Sequence, residues 1–436
     1  PPCSPTAGPT GGGMALQAMA VAGKLRPGGR AHTGRLLPRL LLLLELRQVL
    51  ACTQVLVPAP TGEVVVANTI ESGDFVELHG GKTVRPTLRG ERLGGGRGGP
   101  CGADCALVLG VAGPGTGRCS EFEVRHGFVG SMNEKGLIVS HHMLKLSVYE
   151  EPSATGPNIC ARDVDQWILA SFGTVAELAE SLRKPADDRP RVVADPEGFE
   201  DPITFSWGVV DASGAAVVVE YVKGGLRIHN NTVGVLTNDP TWEWHVANLN
   251  NYVALQPNWY AANNAGMEMP VSDQWYPWQT NAYDSKPPIV PAPIGHGFNL
   301  LGMPGDGSGA SRFVRVFFQR AYALRKSPPR DLEGALILGQ ELLNTVYKVK
   351  GSVPGRDAQD PLETTPIATL AVPATREVYH RGRADMTWRR IDLKRVDFSP
   401  SAVKRHARVA SSRFYAIDVT GFLTGEAEPP PEDLAV

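Results

Sequence analysis

Two short apolar, β-branched runs, Thr53-Gln-Val-Leu-Val57 and Glu63-Val-Val-Val-Ala67, flank a polar break at Pro58-Ala-Pro-Thr-Gly62. Two such runs on either side of a Pro/Gly turn predict a β-hairpin. Residues 136–140 read as another strand, and 203–221 as a hairpin turning at Asp211-Ala-Ser-Gly214, with 226–230 and 233–237 extending the same sheet. Spacing of three to four predicts helices over 161–171 and 174–182, and a third over 311–324 with an aromatic and aliphatic face. Two strands, 387–393 and 413–418, close the pattern. Strands and helices come in blocks rather than strict alternation, which predicts a layered α+β sandwich.

The chain has 436 residues, enough for one large core or two ordinary ones, and its 42% hydrophobic and 20% charged content is that of a globular protein. A net charge of −2 gives no overall attraction to nucleic acid or to an anionic membrane, so function is expected in a site rather than in the global field. Residues 1–13 carry no fold signal, and Met14 is read as a start. Lys24, Arg26, Arg30, Arg35 and Arg39 precede the short run Leu40–Leu44, and Val49 and Ala51 occupy the small positions before a cut. That order is a secretory leader's, although Glu45 and Arg47 run against it. A lipidated Cys52 is the other reading of the same cut. The expected organisation is a leader or pro-segment over 1–51, removed or disordered, one domain over 52–425 with a Gly-rich insert at 93–118, and a Pro-rich acidic tail over 426–436. This places the protein in the secretory pathway, in an extracellular or periplasm-like compartment. No apolar run of about 18 residues follows the leader, so the mature chain is expected not to span a membrane.

Several local patterns carry little. Cys101, Cys105 and Cys119 lack two further well-spaced ligands for zinc, and read as a loop disulfide or free thiols. His141 and His142 are adjacent and face opposite sides of a strand, so they cannot jointly hold a metal. The loop Met303–Gly309 has the glycines of a phosphate loop without the following Lys-Ser/Thr. No metal and no cofactor is expected. Cys52 is different. A cut after Ala51 would make it the first residue of a strand, with thiol and α-amine in one residue, a nucleophile beside its own base.

Four blocks extend this reading. They are Cys52-Thr-Gln-Val-Leu56; Met132-Asn-Glu-Lys-Gly-Leu137; 234–244 continuing to Asn248-Leu-Asn-Asn-Tyr252; and Gly302–Asp306 through Ser311-Arg-Phe-Val-Arg315. In this order they resemble the choloylglycine hydrolase family, which includes penicillin V acylases and bile salt hydrolases, and Trp388–Lys394 is a fainter match. The resemblance implies an N-terminal-nucleophile (Ntn) αββα sandwich, two antiparallel sheets between helix layers. It implies hydrolysis of linear amides through a thioester acyl-enzyme, a small-molecule N-acyl amide as partner, and suggests a homotetramer. A catalytically impaired homologue, binding or lipid-anchored, is the alternative.

By the same resemblance Cys52 is the nucleophile, Asn238 the oxyanion-hole asparagine, and Arg312 the cation near the thiol, expected to favour thiolate. The second oxyanion donor is a backbone N–H near Met143. Met143 also stands where acylases often carry Tyr and bile salt hydrolases Asn, which leaves the acyl group open and argues against specific bile salt hydrolysis. Glu71 takes the place of a family aspartate and is expected to hold the α-amino group. Asn68 takes the place of an arginine and loses a permanent charge. The aromatic and Pro-rich stretch 253–300 is expected to shape an acyl pocket, and residues are missing between His126–Gly130 and Ser131 relative to the family.

Overall fold

The computed structural model describes residues 51–72, 83–86, 107–111, 118–119, 122–123, 131–154, 156–194, 204–255, 300, 302–353, 362–399, 401 and 407–408. The leader, the C-terminal strand expected at 413–418, the tail and nearly all of the 253–300 stretch lie outside these residues. The described residues belong to the compact unit Leu46–Val436.

The predicted first hairpin forms as β1 (Ala51–Pro58) and β2 (Val64–Ser72), paired from Ala51–Glu71 to Pro58–Val64. It is the centre of a six-stranded sheet ordered β14 (Val235–Leu236), β1, β2, β15 (Thr364–Val372), β16 (Glu377–Gly382) and β17 (Arg389–Asp392). A second sheet of eight strands runs in the order β13 (Gly225–Asn230), β12 (Ala216–Val222), β11 (Phe205–Val210), β8 (Ile138–Met143), β7 (Ser131–Asn133), β4 (Leu107–Val111), β3 (Thr83–Pro86) and β18 (Ala407–Arg408). Its β4 falls within the segment read as a Gly-rich insert. Two small pairs complete the strands, β5 (Arg118–Cys119) with β6 (Phe122–Glu123), and β9 (Asn158–Cys160) with β10 (Arg191–Val193). All pairs in the two large sheets are antiparallel.

The helices are α1 (Val164–Ser171), α2 (Val175–Arg183), α3 (Trp242–Asn248), α4 (Gly309–Lys326) and α5 (Leu332–Asn344). The 161–171 segment opens with a 3₁₀ turn before α1, and α2 begins at a capping box in which Thr174 and Glu177 exchange side-chain bonds. The expected strand at 136–140 starts later. Asn133 Oδ1 accepts from the N–H groups of Lys135 and Leu137, and this closes a turn with Gly136 at φ +86°.

Alternation along β1 and β2 decides the layers. Val55, Val57, Val65 and Ala67 pack with Phe313 of α4 and Leu338 and Leu342 of α5. Cys52, Leu56, Val66 and Ile70 point the other way, into a core shared with Ile367, Ile138 and Val210. Gln54 Nε2 crosses between the sheets to Ser140 Oγ at 2.6 Å. The result is the α+β, αββα sandwich expected from the sequence, with the start of β1 in its interior.

Candidate active site

Cys52 is fully buried, and its backbone nitrogen donates to Asn238 Oδ1 at 2.9 Å. Asn238 follows the edge strand β14, which pairs with β1 at Gln54–Leu236. Its position is fixed from three sides. Its carbonyl is 2.7 Å from His245 Nε2, its Nδ2 donates to Met143 O at 3.2 Å, and Thr237 Oγ1 donates to Gly309 O at 2.9 Å. Gly309 is required there, since a Cβ would lie 2.7 Å from Asp239 O. The first turn of α4 therefore approaches the Asn238 backbone directly.

That turn delivers Arg312. Ser308 caps it by accepting from Ser311 N, and Asp306 accepts from both Ser308 N (2.8 Å) and Ser311 Oγ (2.6 Å). Arg312 is 1% exposed and spends its guanidinium on the start of β1. Nη1 donates to Cys52 O at 2.9 Å and to Thr53 Oγ1, Nη2 to Asn238 Oδ1 at 2.5 Å, and Nε to Gly307 O at 3.0 Å. Glu71 Oε2 lies 3.5 Å from Nη1, an ion pair in which neither side chain reaches solvent.

The sequence-selected residues Cys52, Glu71, Asn238, Arg312 and Met143 thus come together, with differences of detail. Cys52 pairs with Ile70, so Glu71 lies on the opposite face of β2 from the thiol and meets Arg312 on the helix side. The Cys52 nitrogen bonds Asn238, not the Glu71 carboxylate. Met143 contributes its carbonyl as an acceptor. Arg312 does pull the thiol downward, but burial and then the Glu71 charge outweigh it, and the thiol is raised well above its ordinary value of 9.0. Burial likewise raises Glu71, against the pull of Arg312 and Lys348.

The raised thiol has a measurable consequence. Above pH 9.0 the unfolded chain releases the Cys52 proton while the folded chain keeps it. The native state then binds more protons, and stability falls with rising pH by about 1.4 kcal/mol per unit. Denaturation of the wild-type chain and of Cys52→Ser across alkaline pH should show that component in the first and not in the second; parallel curves would contradict the assignment.

Asn68 faces the core between the sheets, in a row that pairs Gln54 with Asn68, Asn68 with Thr369 and Thr369 with His380. All four are buried, and Gln54 Oε1, both polar atoms of Asn68, Thr369 Oγ1 and both ring nitrogens of His380 have no hydrogen-bond partner among the described residues. Burial holds His380 down at about 4. His142, passed over in the sequence, is also fully buried. Its Nε2 is 3.1 Å from Ser140 Oγ, continuing the line from Gln54, and burial pushes it down to about 3. His141 turns away to Asp165 Oδ2 at 2.5 Å, as the strand geometry requires. Two other contributors carried no sequence flag, Thr53, which was visible in the Cys52 block, and Lys348, which was not. Among the described residues no cluster suits a metal ion, and no helix is long and apolar enough to cross a membrane.

A profile described as "Linear amide C-N hydrolases, choloylglycine hydrolase family" matches residues 114–270. The bile salt hydrolase/transferase of Clostridium perfringens is 34% identical over 228 residues, 52% of this chain and 60% of that protein. A crystal structure of a cysteine-to-alanine mutant of the conjugated bile acid hydrolase from Clostridium perfringens superposes with a TM-score of 0.66 at 25% identity, over 84% of this chain and 99% of that one. Over residues 114–270 this chain is similar to the choloylglycine hydrolase family. Penicillin V acylase from Agrobacterium tumefaciens, with a TM-score of 0.55 and 19% identity over 84% of this chain and 94% of that one, shares the fold. The family is one of amidohydrolases, and the sandwich is that of the Ntn hydrolases. The chain spans 60% of the length of the curated relative named above.

Proposed function

We propose that the protein hydrolyses linear, non-peptide amides with Cys52 as an N-terminal nucleophile. One observation carries this reading. The Cys52 nitrogen and the Arg312 guanidinium converge on Asn238 Oδ1, which fixes the residue that a cut after Ala51 would leave at the chain terminus. Freed, that nitrogen becomes an α-amine, a group whose ordinary pKa of about 7.7–8.0 suits a base at neutral pH where a lysine's ordinary value of about 10.4 does not. Cys52 Sγ attacks the amide carbonyl and a C–S bond forms. The thiol proton passes through the α-amine to the leaving nitrogen as the C–N bond breaks. Water then cleaves the thioester and releases the acid. Asn238 Nδ2 is the side-chain donor for the developing oxyanion, with a backbone N–H near Met143 as the second.

The acyl group is the open part. The relatives' names supply two test substrates, a conjugated bile acid and penicillin V, and Met143 favours neither. Intact mass of the purified chain first establishes whether it begins at unmodified Cys52. A chromogenic N-acyl amide then reads turnover, with an acyl-enzyme mass adduct expected in the wild-type chain and lost in Cys52→Ser. A correctly processed chain giving no product and no adduct with any of the three substrates would falsify the hydrolase reading. It would favour the impaired homologue, for which the neutral Asn68, without a hydrogen-bond partner among the described residues, is the specific support.

A further inference from the structure

Lys348 follows α5 and plays no part in the chemistry described so far. It is a buried lysine, and its Nζ is paired with Glu363. A buried ammonium is costly unless balanced, so its position needs a reason. Two contacts tie it to the elements around the nucleophile. Its side chain runs under Gly307, where a Cβ would stand 3.5 Å from Lys348 Cε, and the Gly307 carbonyl is the acceptor of Arg312 Nε. Its backbone N–H donates to Thr365 Oγ1 at 2.9 Å, and the neighbouring Thr364 pairs with Ser72, the residue after Glu71. Lys348 and Glu363 therefore flank the end of β2 that carries Glu71.

The charged groups described around this point lie on several elements, with Arg381 of β16, 5.5 Å over the Tyr347 ring, among them. Glu71 lies on β2, Arg312 on α4, Lys348 after α5 and Glu363 before β15, while His142 on β8 is held neutral by burial and Tyr347 precedes Lys348. Asn68 adds no charge. Arg312 alone reaches Glu71 only at 3.5 Å and divides its donors among four other acceptors. We propose that Lys348 is a positioning residue for the nucleophile, a second buried cation that shares with Arg312 the balancing of Glu71, while Glu363 limits how much of its charge reaches Cys52. Among the causes acting on Cys52 and on Glu71, Lys348 pulls both downward, and Glu363 raises Glu71.

The inference deepens the Cys52 reading, and its test does not require turnover. Thiolate absorbance of the full chain, with Cys52→Ser subtracted, titrates the thiol directly. Lys348→Met should move the midpoint up and cut the thiolate fraction at a fixed alkaline pH several-fold. Glu363→Gln should move it down, and Lys348→Arg should leave it in place. A purely structural salt bridge predicts that breaking either end acts alike. Shifts in the same direction, or none, overturn the proposal. If Lys348→Met does not fold, Glu363→Gln decides alone, a lowered midpoint supporting the proposal and an unchanged or raised one overturning it. Failure of the hydrolase reading shows separately, as absence of an acyl-enzyme in the processed wild-type chain.

Discussion

Replacing Arg312 with leucine is expected to cost about 3–5 kcal/mol of folding stability, because it breaks a buried ion pair by removing one partner. Neither Arg312 nor Glu71 has meaningful access to water, so the carboxylate left behind has no solvent to turn to. The same change strips a donor from Cys52 O, Thr53 Oγ1, Gly307 O and Asn238 Oδ1. Chemical denaturation of the two chains measures the difference. Adding Glu71→Gln to the leucine variant should recover part of the loss, since a neutral amide is cheaper to bury than an unpaired charge. A loss below about 1 kcal/mol would mean that the guanidinium is not the centre of this network.

The contrast between Arg312 and Lys348 explains what the sequence made legible. Arg312 stands one turn inside an amphipathic helix whose cap, Ser308, and preceding glycines are local signals, so both its element and its approach to Cys52 follow from a recognisable block. Lys348 lies in the connection between α5 and β15, and nothing in its neighbours marks it as buried. Its place depends on where β15 meets the end of β2, a contact between residues far apart in the chain.

Glu71 falls between these cases. Its presence near Cys52 was readable, and so, in principle, was its side. With Cys52 opposite Ile70, alternation sends residue 71 to the helix face, away from the thiol. The expectation that Glu71 holds the α-amine concerns the processed chain; with Ala51 attached, the Cys52 nitrogen is a peptide N–H that bonds Asn238. The same alternation puts Asn68 on the thiol's face, two residues along the strand. The net direction of the thiol was beyond sequence reasoning. It depends on how completely the site excludes water, and burial is a property of all the layers together.

The nitrogen side of Asn238 separates the proposed chemistry from the architecture. Its Oδ1 accepts from the Cys52 nitrogen and from Arg312, while its Nδ2 donates to Met143 O. Asn238→Asp keeps the acceptor atom and faces Arg312 with a charge, so the anchoring of the β1 start survives. The carboxylate has no N–H to offer an oxyanion. Turnover by the processed Asp variant should therefore fall about 10²–10³-fold, the effect of deleting one oxyanion donor. The fall should appear in kcat with KM little changed, because that interaction is made in the transition state. The added charge also raises the Cys52 thiol, so the comparison is made at each chain's own pH optimum, with the thiolate titration as a check. Asn238→Ala removes donor and acceptor together, and should lose stability as well as turnover. An Asp variant within about threefold of wild type would assign Asn238 to the framework alone and leave the oxyanion to backbone donors.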